Sequence, residues 1–520
     1  MKKIFLAVSS VVLFVSVIFA DVSVTPYGAA ETVSGSCFLL EADGAKIIID
    51  CGLFMTDENL TTETAELKNL QVQPELIKAD VLFLTHAHLD HSGKVPLLIH
   101  RGFKGKIYST KATKELALAF FKDRNGFNLI KRKWFWSESQ MNKARHYGNS
   151  AIVHWTKECK NTIKSTGCSD DEILLKDLEK RENIKFLLCK DCCKIETKKI
   201  SEQFVAVEYN KHIDIKNNVK VKLINAGHIP GSASLIFKTA DKKVLFSGDI
   251  GSGYSKLDGK FDVPEPVDLI FMEATYGGSG DRNKNIATQY NIFREDLKQA
   301  ISSGKTVWIP ALAYNRTQKI LYELKLMQDD DILPKQIPIY SISPSANGIT
   351  ALYQEEVSKG GLQSQANDWF LKEVYDKATI LPKDAKLKMT RNYNKQMVLL
   401  SASGDMDKGK SEQLMYKMLT RNDVFVMIVS YVNPESNAGL ALRNKRTKMG
   451  IKSVAEIKKY DVFSDHADLS TLQKWLVKQN KNVEIYIIHS NKKHTKDTIQ
   501  LLKKEGWKNV RNTVVGNTIN

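Results

Sequence analysis

The chain has 520 residues, of which 42% are hydrophobic and 26% are charged, and its formal net charge is +17 at pH 7. This length excludes a single hydrophobic core, since such cores rarely grow past about 250–300 residues, and the sequence has no low-complexity tract or fixed-period repeat. The positive charge favours a polyanionic partner such as nucleic acid, anionic lipid or acidic glycan, although a lysine-rich surface kept for solubility would have the same composition.

Residues 1–20 have the layout of a secretory signal peptide. Lys2 and Lys3 precede an apolar stretch at 4–19, and the small residue Ala20 follows it. Ile18, the third residue before the cut, is large for that position, so an uncleaved membrane anchor stays open, as does a buried N-terminal helix. We expect an exported protein, periplasmic or secreted, with no stable membrane domain after signal cleavage.

From residue 21 onward, short apolar strands alternate with turns and helices. The strands predicted in the first half of the chain are KIIID (46–50), VLFLT (81–85), KVKLINA (220–226), KVLFSGD (243–249) and LIFMEA (269–274). Each of the last four runs into a polar cluster at its C-terminal end. Because α/β sheets bind their ligands at that end of their strands, these polar clusters indicate a functional site.

Residues 122–200 differ from their surroundings and are expected to form an inserted helical subdomain. Ser169 and Glu172 form a capping box, and Lys180 and Arg181 would end the helix that it begins. The KRKWFW segment (131–136) predicts either a surface for single-stranded nucleic acid or a helix that packs its aromatic side chains inward.

Five of the seven cysteines lie in this insert, namely Cys159, Cys168, Cys189, Cys192 and Cys193. In an exported protein such a cluster predicts local disulfides with one thiol left over, whereas in the cytosol it would predict a zinc knuckle. The other two cysteines, Cys37 and Cys51, lie in apolar strands, where we expect them to be core residues.

A second α/β region follows, with near-continuous apolar strands that are typical of a buried parallel sheet. These strands are TVWIPA (306–311), IPIYSIS (337–343), MVLLSAS (397–403) and VFVMIVS (424–430), with predicted helices at 289–300 and 317–327 between them. The chain then continues through FSDHADLSTLQKWL to the strand VEIYIIH (483–489) and a helix at about 495–505 that stops at Gly506.

The segment HAHLDH (86–91) holds three of the chain's 11 histidines directly after an apolar strand. Side chains two apart in an extended segment point the same way, so His86 and His88 converge, while Asp90 and His91 turn toward a neighbouring point. Imidazole and carboxylate suit a divalent metal, zinc before others. Two adjacent points indicate two ions about 3.5–4 Å apart, which is a spacing suited to phosphoester hydrolysis.

Two ions need more ligands, and other strand ends supply candidates. His228 and His489 each follow a predicted strand, and Asp249 follows another, where its carboxylate could bridge both ions. Asp50, at the end of KIIID, could orient ligands through hydrogen bonds rather than bind metal itself.

These segments resemble the metallo-β-lactamase-fold hydrolases of the β-CASP family, which includes the mRNA 3′-end cleavage factor and RNase J-like nucleases. The resemblance runs from about residue 22 to the C-terminus, apart from 122–200. The matching motifs are VSGSCFLLEADGAKIIIDCGLF with Asp50, THAHLDHSG, AGHIPGSAS with His228, LFSGDIG with Asp249, FMEATYGG with Glu273, FSDHADL with His466 and VEIYIIH with His489.

Departures from the family pattern are confined to a few positions. Asn315 replaces a glycine that many relatives have, and Ser490 and Asn491 replace an acidic Gly-Glu pair. No expected metal ligand is lost.

The resemblance implies an α/β fold, a metallo-β-lactamase αββα sandwich with an inserted β-CASP cap that has a parallel sheet. Residues 21–278, which include the insert, and 456–520 would build the sandwich, and residues 279–455 would build the cap. The cleft between them would admit a single strand more easily than a duplex.

It also implies a cofactor of two Zn²⁺ ions, with Mn²⁺ as the other option. His86, His88 and His228 would hold one ion, and Asp90, His91 and His489 the other, with Asp249 between them. His466, oriented by Glu273, would be the general acid, and the products would carry 5′-phosphate and 3′-hydroxyl ends.

We therefore predict a zinc-dependent phosphodiesterase acting on single-stranded nucleic acid, with RNA favoured over DNA and with endonucleolytic and exonucleolytic cutting both open. Arg316 and Ser232 are expected to contact the substrate. The rival interpretations are a lactonase- or β-lactamase-like hydrolase of small molecules and a catalytically silent nucleic-acid-binding partner. The long cap argues against the first, and the full ligand set argues against the second.

Overall fold

The computed structural model describes residues 22–55, 60–69, 71–122, 172–175, 186–189, 197–254, 257, 260–279, 285–358, 378–380 and 396–520. The predicted export signal, the KRKWFW segment and the side chains of the five clustered cysteines lie outside these residues, so their interpretations stay predictions. Within the described ranges, no helix combines the length and apolar character needed to cross a bilayer.

The strands account for most of the framework. In chain order they are β1 (Ser23–Pro26), β2 (Phe38–Ala42), β3 (Ala45–Ile49), β4 (Val81–Phe83), β5 (Lys106–Thr110), β6 (Glu172–Leu175), β7 (Phe186–Cys189), β8 (Phe204–Val207), β9 (His212–Asp214), β10 (Lys220–Asn225), β11 (Ala233–Lys238), β12 (Lys243–Phe246), β13 (Leu269–Glu273), β14 (Thr306–Pro310), β15 (Ile339–Ser341), β16 (Ala378–Ile380), β17 (Val398–Ser401), β18 (Val424–Ile428), β19 (Glu456–Lys459), β20 (Glu484–Ile488) and β21 (Asn509–Asn512). The strands predicted from apolar runs are thereby confirmed.

Helices connect and cover these strands. They are α1 (Thr62–Asn69), α2 (Pro74–Ile77), α3 (Leu89–Ser92), α4 (Val95–His100), α5 (Lys111–Lys122), α6 (Thr197–Gln203), α7 (Ile286–Ser302), α8 (Arg316–Asp329), α9 (Pro344–Ser358), α10 (Gly409–Leu419), α11 (Asn437–Leu442), α12 (Leu469–Trp475) and α13 (Lys492–Lys504), with a 3₁₀ turn at Gly277–Ser279. The three predicted helices in the second half of the chain correspond to α7, α8 and α13.

Two mixed sheets form the sandwich. The first has the strand order β1-β2-β3-β4-β5-β8, and the second has the order β21-β20-β13-β12-β11-β10-β9. Strand β20 follows the cap in the chain but pairs in parallel with β13, which precedes the cap, and Glu273 lies opposite Ile488. The last part of the chain therefore returns to complete the second sheet.

The two sheets pack face to face through one aromatic cluster. Phe38 of the first sheet lies with its ring centroid 5.7 Å from that of Phe246 and 6.2 Å from that of Phe271, both in the second sheet. The outer face of the second sheet packs on Trp475 of α12 and Leu502 of α13. Because the hydrophobic faces of both sheets are buried between the layers and under helices, the αββα arrangement is confirmed.

The inserted cap is built on a third sheet, with the order β16-β15-β17-β14-β18-β19 and parallel pairing throughout. Its strands are buried on both faces, as the continuous apolar runs predicted. A single hydrophobic cluster joins α5 of the sandwich to the cap, with Leu116 and Tyr314 among its members.

One sequence prediction within the insert is wrong. The capping box at Ser169 predicted a helix, but the residues described there form the strand β6, which pairs antiparallel with β7. The apolar run EILL (172–175) can pair with a second apolar run, FLLC (186–189), and this long-range pairing overrides the local capping signal.

Candidate metal centre

Seven side chains converge at one edge of the sandwich, where the ligand-bearing loops follow β4, β10, β12 and β20. They are His86, His88, Asp90, His91, His228, Asp249 and His489. Two of the three sets of donor atoms that lie within 4.8 Å of one another are His86, His88, His228 and Asp249, and Asp90, His91 and His489. The structure thus brings together all seven residues that the sequence singled out as metal ligands.

The first set has the spacing of a tetrahedral ion's ligands. Nδ1 of His88 lies 3.1 Å from Nε2 of His86 and 3.2 Å from Nε2 of His228. Oδ2 of Asp249 lies 3.5 Å from Nε2 of both His86 and His228. Zinc–nitrogen bonds of about 2.0–2.1 Å would separate tetrahedral donors by about 3.3–3.4 Å, so these residues fit zinc.

The second set lies on the other side of the same aspartate. Nε2 of His489 is 3.3 Å from Oδ2 of Asp90, and Nε2 of His91 is 3.2 Å from Oδ1 of Asp249. The two carboxylate oxygens of Asp249 therefore face different histidine sets, as a carboxylate shared by two cations would.

Among the described residues, the carboxylate of Asp249 is surrounded by histidine rings but accepts no hydrogen bond of normal geometry. Its side chain is 1% exposed, and both of its oxygens, together with Nε2 of His91, are buried without a donor or acceptor. Burying a carboxylate without hydrogen-bond donors is costly, and buried polar atoms of this kind often have an ion or water as their partner. Cations between the histidines would satisfy all three atoms.

Hydrogen bonds from behind fix the ligand rings. Nδ1 of His91 lies 2.7 Å from Oδ2 of Asp50, and this carboxylate also accepts a bond from the backbone N–H of Thr85 at 2.8 Å. Nδ1 of His228 donates to the backbone carbonyl of Asp465 at 2.8 Å. The two bonds to His91 and His228 each place a proton on Nδ1 and leave Nε2 free to bind metal. Histidine ligands of zinc are usually held by hydrogen bonds of this kind.

Burial sets the charge of the rings. It lowers the pKa of His86 and of His228 well below the usual value, so both rings are neutral and offer a lone pair at neutral pH. Burial also opposes the charged form of His91, but the nearby carboxylates of Asp249 and Asp50 outweigh it and raise the pKa of His91.

The proposed acid lies beside this cluster. Nδ1 of His466 is 3.2 Å from Oε1 of Glu273 and 3.9 Å from Oδ2 of Asp249. Glu273 is fully buried and accepts backbone N–H bonds from Ile250 at 2.8 Å and from Thr275 at 3.1 Å, so its orientation is fixed. The ring of His466 is 19% exposed and can reach a bound substrate.

Two glycines allow the ligand loops to touch. A Cβ atom at Gly52 would lie 1.6 Å from the carbonyl oxygen of Asp90, and one at Gly251 would lie 1.8 Å from the carbonyl oxygen of Gly227. Any side chain at either position would push apart the loops that carry the metal ligands.

Two residues expected to contact the substrate are buried instead. Arg316 donates from its guanidinium to the backbone carbonyl of Val429 and to Asp465, which leaves its side chain 10% exposed. Oγ of Ser232 accepts the backbone N–H of His228 at 3.0 Å and shapes that loop. Since each group is engaged within the protein, a substrate contact by either finds no support in its position.

Four further residues that support the site were not predicted from the sequence, namely Asp465, Lys319, Thr85 and Thr275. Thr275 bonds Nδ1 of His489 at 2.9 Å, and Thr85 bonds Asp50. The sequence offered one signal for such supporting residues, namely a polar residue next to a histidine motif. Thr85 beside His86 and Asp465 beside His466 are examples. The partner of each residue is distant in sequence, so the signal alone did not give its role.

Comparison with protein families identifies three segments. Residues 30–301 match the metallo-beta-lactamase superfamily, residues 317–439 match the Beta-Casp domain, and residues 450–511 match the Zn-dependent metallo-hydrolase RNA specificity domain. The first match alone covers more than half of the chain.

Individual relatives agree with these matches. The chain is 27% identical to Ribonuclease TTHA0252 of Thermus thermophilus over 344 residues, which is 66% of this chain and 63% of that protein. It is 24% identical to the RNase J-like protein of Methanocaldococcus jannaschii over 479 residues, which is 90% of this chain and 92% of that protein.

A crystal structure of a protein of unknown function from Enterococcus faecalis V583 has the same fold. It aligns with a TM-score of 0.50 at 14% identity, over 96% of this chain and 99% of that one. The family matches, the two sheets and the parallel cap agree with one another. The chain therefore belongs to the metallo-β-lactamase superfamily and carries the β-CASP and RNA-specificity domains of its nuclease branch.

Proposed function

We propose that this protein is a two-zinc phosphodiesterase that hydrolyses single-stranded RNA. The observation that carries the proposal is the buried Asp249 carboxylate, which accepts no hydrogen bond among the described residues and lies between two sets of histidine ligands. When bound, two zinc ions would lower the pKa of a nearby water and offset the charge that develops on phosphoryl oxygens.

The chain's own residues divide the work. His86, His88 and His228 would hold one ion, and Asp90, His91 and His489 would hold the other, while the carboxylate of Asp249 faces both sets. Asp50 keeps His91 in the tautomer that presents Nε2, since its carboxylate can only accept the proton of Nδ1.

His466 supplies the proton that the departing sugar oxygen needs. Burial opposes its charge, but Glu273 and Asp249 outweigh this effect and raise the pKa of His466 to about 10. The ring is therefore protonated at neutral pH and sits at the open side of the cluster, where a general acid belongs. Glu273 acts as a positioning residue for this ring.

RNA is the favoured substrate for three reasons. The chain carries an RNA-specificity domain, and relatives that span most of it are named as ribonucleases. The net charge of +17 suits a polyanion. The large cap over the site argues against a lactonase or β-lactamase, and the complete donor set argues against a silent partner.

The deciding experiment incubates the purified protein with end-labelled single-stranded RNA and DNA, with and without a chelator, and maps the product ends. We expect RNA cleavage to 5′-phosphate and 3′-hydroxyl ends, loss of cleavage with chelator, and recovery with Zn²⁺ or Mn²⁺. Elemental analysis should find about two zinc ions per chain. Protein that takes up no metal, or that hydrolyses lactones or β-lactams but not RNA, would contradict the proposal.

Export is a separate part of the proposal and rests on residues 1–20 alone. We propose that the enzyme acts outside the cytoplasm, with an uncleaved membrane anchor as the other option. Mass spectrometry of the protein purified from its native cells should find a mature N-terminus at about residue 21. A protein that keeps Met1 and is found in the cytosol would contradict export.

A further inference from the structure

A buried carboxylate next to the proposed acid is held by the cap. Asp465 is 6% exposed and precedes His466 in the chain. Its oxygens accept bonds from Nζ of Lys319, from Nδ2 of Asn315 at 2.8 Å and from the guanidinium of Arg316 at 3.3 Å. Lys319 and Arg316 lie on α8 of the cap and are themselves buried, so three cap side chains close around one residue of the returning segment.

The same small region also holds a candidate metal ligand. The backbone carbonyl of Asp465 accepts the proton of Nδ1 of His228 at 2.8 Å. Nδ2 of Asn315 lies within bonding distance of the carbonyl oxygen of His228 as well, at 3.3 Å. A shift of Asp465 would therefore move the ring of His228 from one side and the imidazole of His466 from the other.

The cap end of this network is itself rigid. Oδ1 of Asn315 accepts a hydrogen bond from the buried hydroxyl of Tyr353 at 2.8 Å, and Asn315 has a φ of 55°, a strained value that the surrounding bonds maintain. The preceding residue, Tyr314, packs its ring against that of His88, with centroids 5.1 Å apart. The segment at the start of α8 thus touches two candidate ligands of the same ion.

Stability alone does not explain this arrangement. Burial raises the pKa of Asp465, but the charges of Lys319 and Arg316 outweigh it, and the pKa falls well below the usual range. A buried ion pair can often be replaced by apolar side chains without loss of stability, so the gain from such a network is more often a fixed geometry.

We propose that Asp465 is a positioning residue through which Asn315, Arg316 and Lys319 of the cap set the places of His228 and His466. This inference rests on the proposed function, because it assigns these cap residues to the same zinc and acid groups. The cap then does more than cover the substrate, since the zinc site reaches its working geometry only when α8 is docked.

The test uses the full chain loaded with Co²⁺ or Zn²⁺ and two variants that act on different bonds of the network. Lys319→Met removes one cation at similar side-chain length, and Asn315→Gly removes the amide while tolerating the positive φ. We expect each variant to bind zinc about 10- to 100-fold more weakly in competition with a chromophoric chelator, as for other residues that support metal ligands. We also expect an altered visible spectrum with Co²⁺, and a lower kcat on RNA with KM changed much less.

The matched control is Glu323→Gln. Glu323 lies on the same helix, is equally buried and forms an ion pair with Arg294 at 2.5 Å, but it contacts neither His228 nor Asp465 in the described structure. We expect this variant to lose thermal stability like the others while keeping wild-type zinc affinity and the wild-type cobalt spectrum.

Three outcomes would overturn the inference, and they separate it from the proposed function. If the wild-type protein binds metal and cleaves RNA, but Lys319→Met and Asn315→Gly keep its zinc affinity and cobalt spectrum, the positioning role alone fails. It also fails if Glu323→Gln weakens zinc to the same extent, since the effect is then general destabilisation. Wild-type protein that binds no zinc or cobalt would overturn both the inference and the function on which it rests.

Discussion

Two buried aspartates lie near the same site, but the groups around their carboxylates differ. Asp465 is 6% exposed and is surrounded by lysine, arginine and asparagine donors from the cap. Asp249 is 1% exposed, and within the described part of the chain its two oxygens face histidine rings without accepting a hydrogen bond of normal geometry. The protein neutralises Asp465 with its own lysine and arginine, whereas Asp249 is left for a bound metal ion to neutralise.

The difference shows that a buried carboxylate without fixed cations around it can mark a binding site for an ion. Fixed cations such as Lys319 and Arg316 neutralise the carboxylate of Asp465 permanently, so this carboxylate needs no ion from outside. Histidines have a pKa near neutrality and also bind metals, so a carboxylate ringed by them is a site for an ion. The predictions below test this contrast, from the largest expected effect to the smallest.

Removing the unpaired charge should have the largest effect on activity. We expect Asp249→Asn to lower zinc content from about two ions to one or none and to lower RNA cleavage by more than the ~10²–10⁴-fold expected for loss of a general acid. Elemental analysis and a cleavage assay would check this. If the variant keeps two zinc ions and cleaves RNA at the wild-type rate, Asp249 is not shared between two ions.

Loss of the acid should leave the metal in place. His466→Ala is expected to lower kcat by ~10²–10⁴-fold. Zinc content should stay near that of the wild type, because each of the two proposed ions keeps three other protein ligands and the shared Asp249. A full rate in this variant would remove His466 from the mechanism.

The free energy of unfolding should change more on substitution of Asp465 than of Asp249, which is the reverse of the order expected for activity. In metal-free protein, Asp465→Asn leaves Lys319 and Arg316 buried without a carboxylate, which typically costs ~3–5 kcal/mol. Asp249→Asn should cost less, because the histidines around it can release a proton, whereas arginine cannot. Chemical denaturation of both variants would check this, and equal losses would contradict the contrast.

The acid's ionisation should appear as a loss of rate at high pH. Burial lowers the pKa of His466, but Glu273 and Asp249 raise it overall to about 10, and zinc beside Asp249 would offset part of that rise. Only the protonated ring can donate, so kcat should fall as pH rises, with a midpoint between about 6.5 and about 10. Glu273→Gln should shift this midpoint to lower pH, since it removes the nearest negative charge. A pH–rate profile without a falling limb would contradict the assignment.

A surface carboxylate gives the smallest expected effect. Glu265 contacts Nζ of Lys222 and lies 2.8 Å from Nζ of Lys243, and these bonds lower its pKa to about 2. Its contribution is present above the ordinary pKa and is lost as pH falls toward about 2. Because the pair with Lys243 is more than a third exposed, Glu265→Gln should cost only ~0.2–1 kcal/mol in thermal unfolding at pH 7.

Part of the site could be predicted because its signal is local. HAHLDH places four donors within six residues after an apolar strand, and this pattern alone predicted the metal site. The distant ligands His228 and His489 were identifiable because each ends a strand and matches a family motif. The fold followed in the same way, since the continuous apolar runs of the cap predicted its parallel sheet.

The rest could not be predicted because its partners are far apart in sequence. Lys319 and Asp465 are 146 positions apart, and neither carries a local sign of the other. Arg316 was assigned to phosphate from its charge, but its partner is a buried carboxylate that only the fold brings near. The helix predicted at Ser169 failed for the same reason, since pairing of β6 with β7 decided the local structure.

The order of the ligands along the chain has a consequence for biosynthesis. His86, His88, His228 and Asp249 precede the cap, whereas His466 and His489 follow it. A ribosome therefore completes the donors of one ion first. The second set, which already has Asp90 and His91, is completed by His489 only after the cap has been made, as is the acid His466. On the proposed mechanism, a nascent chain cannot cut the messenger from which it is being translated until the segment with His466 and His489 has been synthesised.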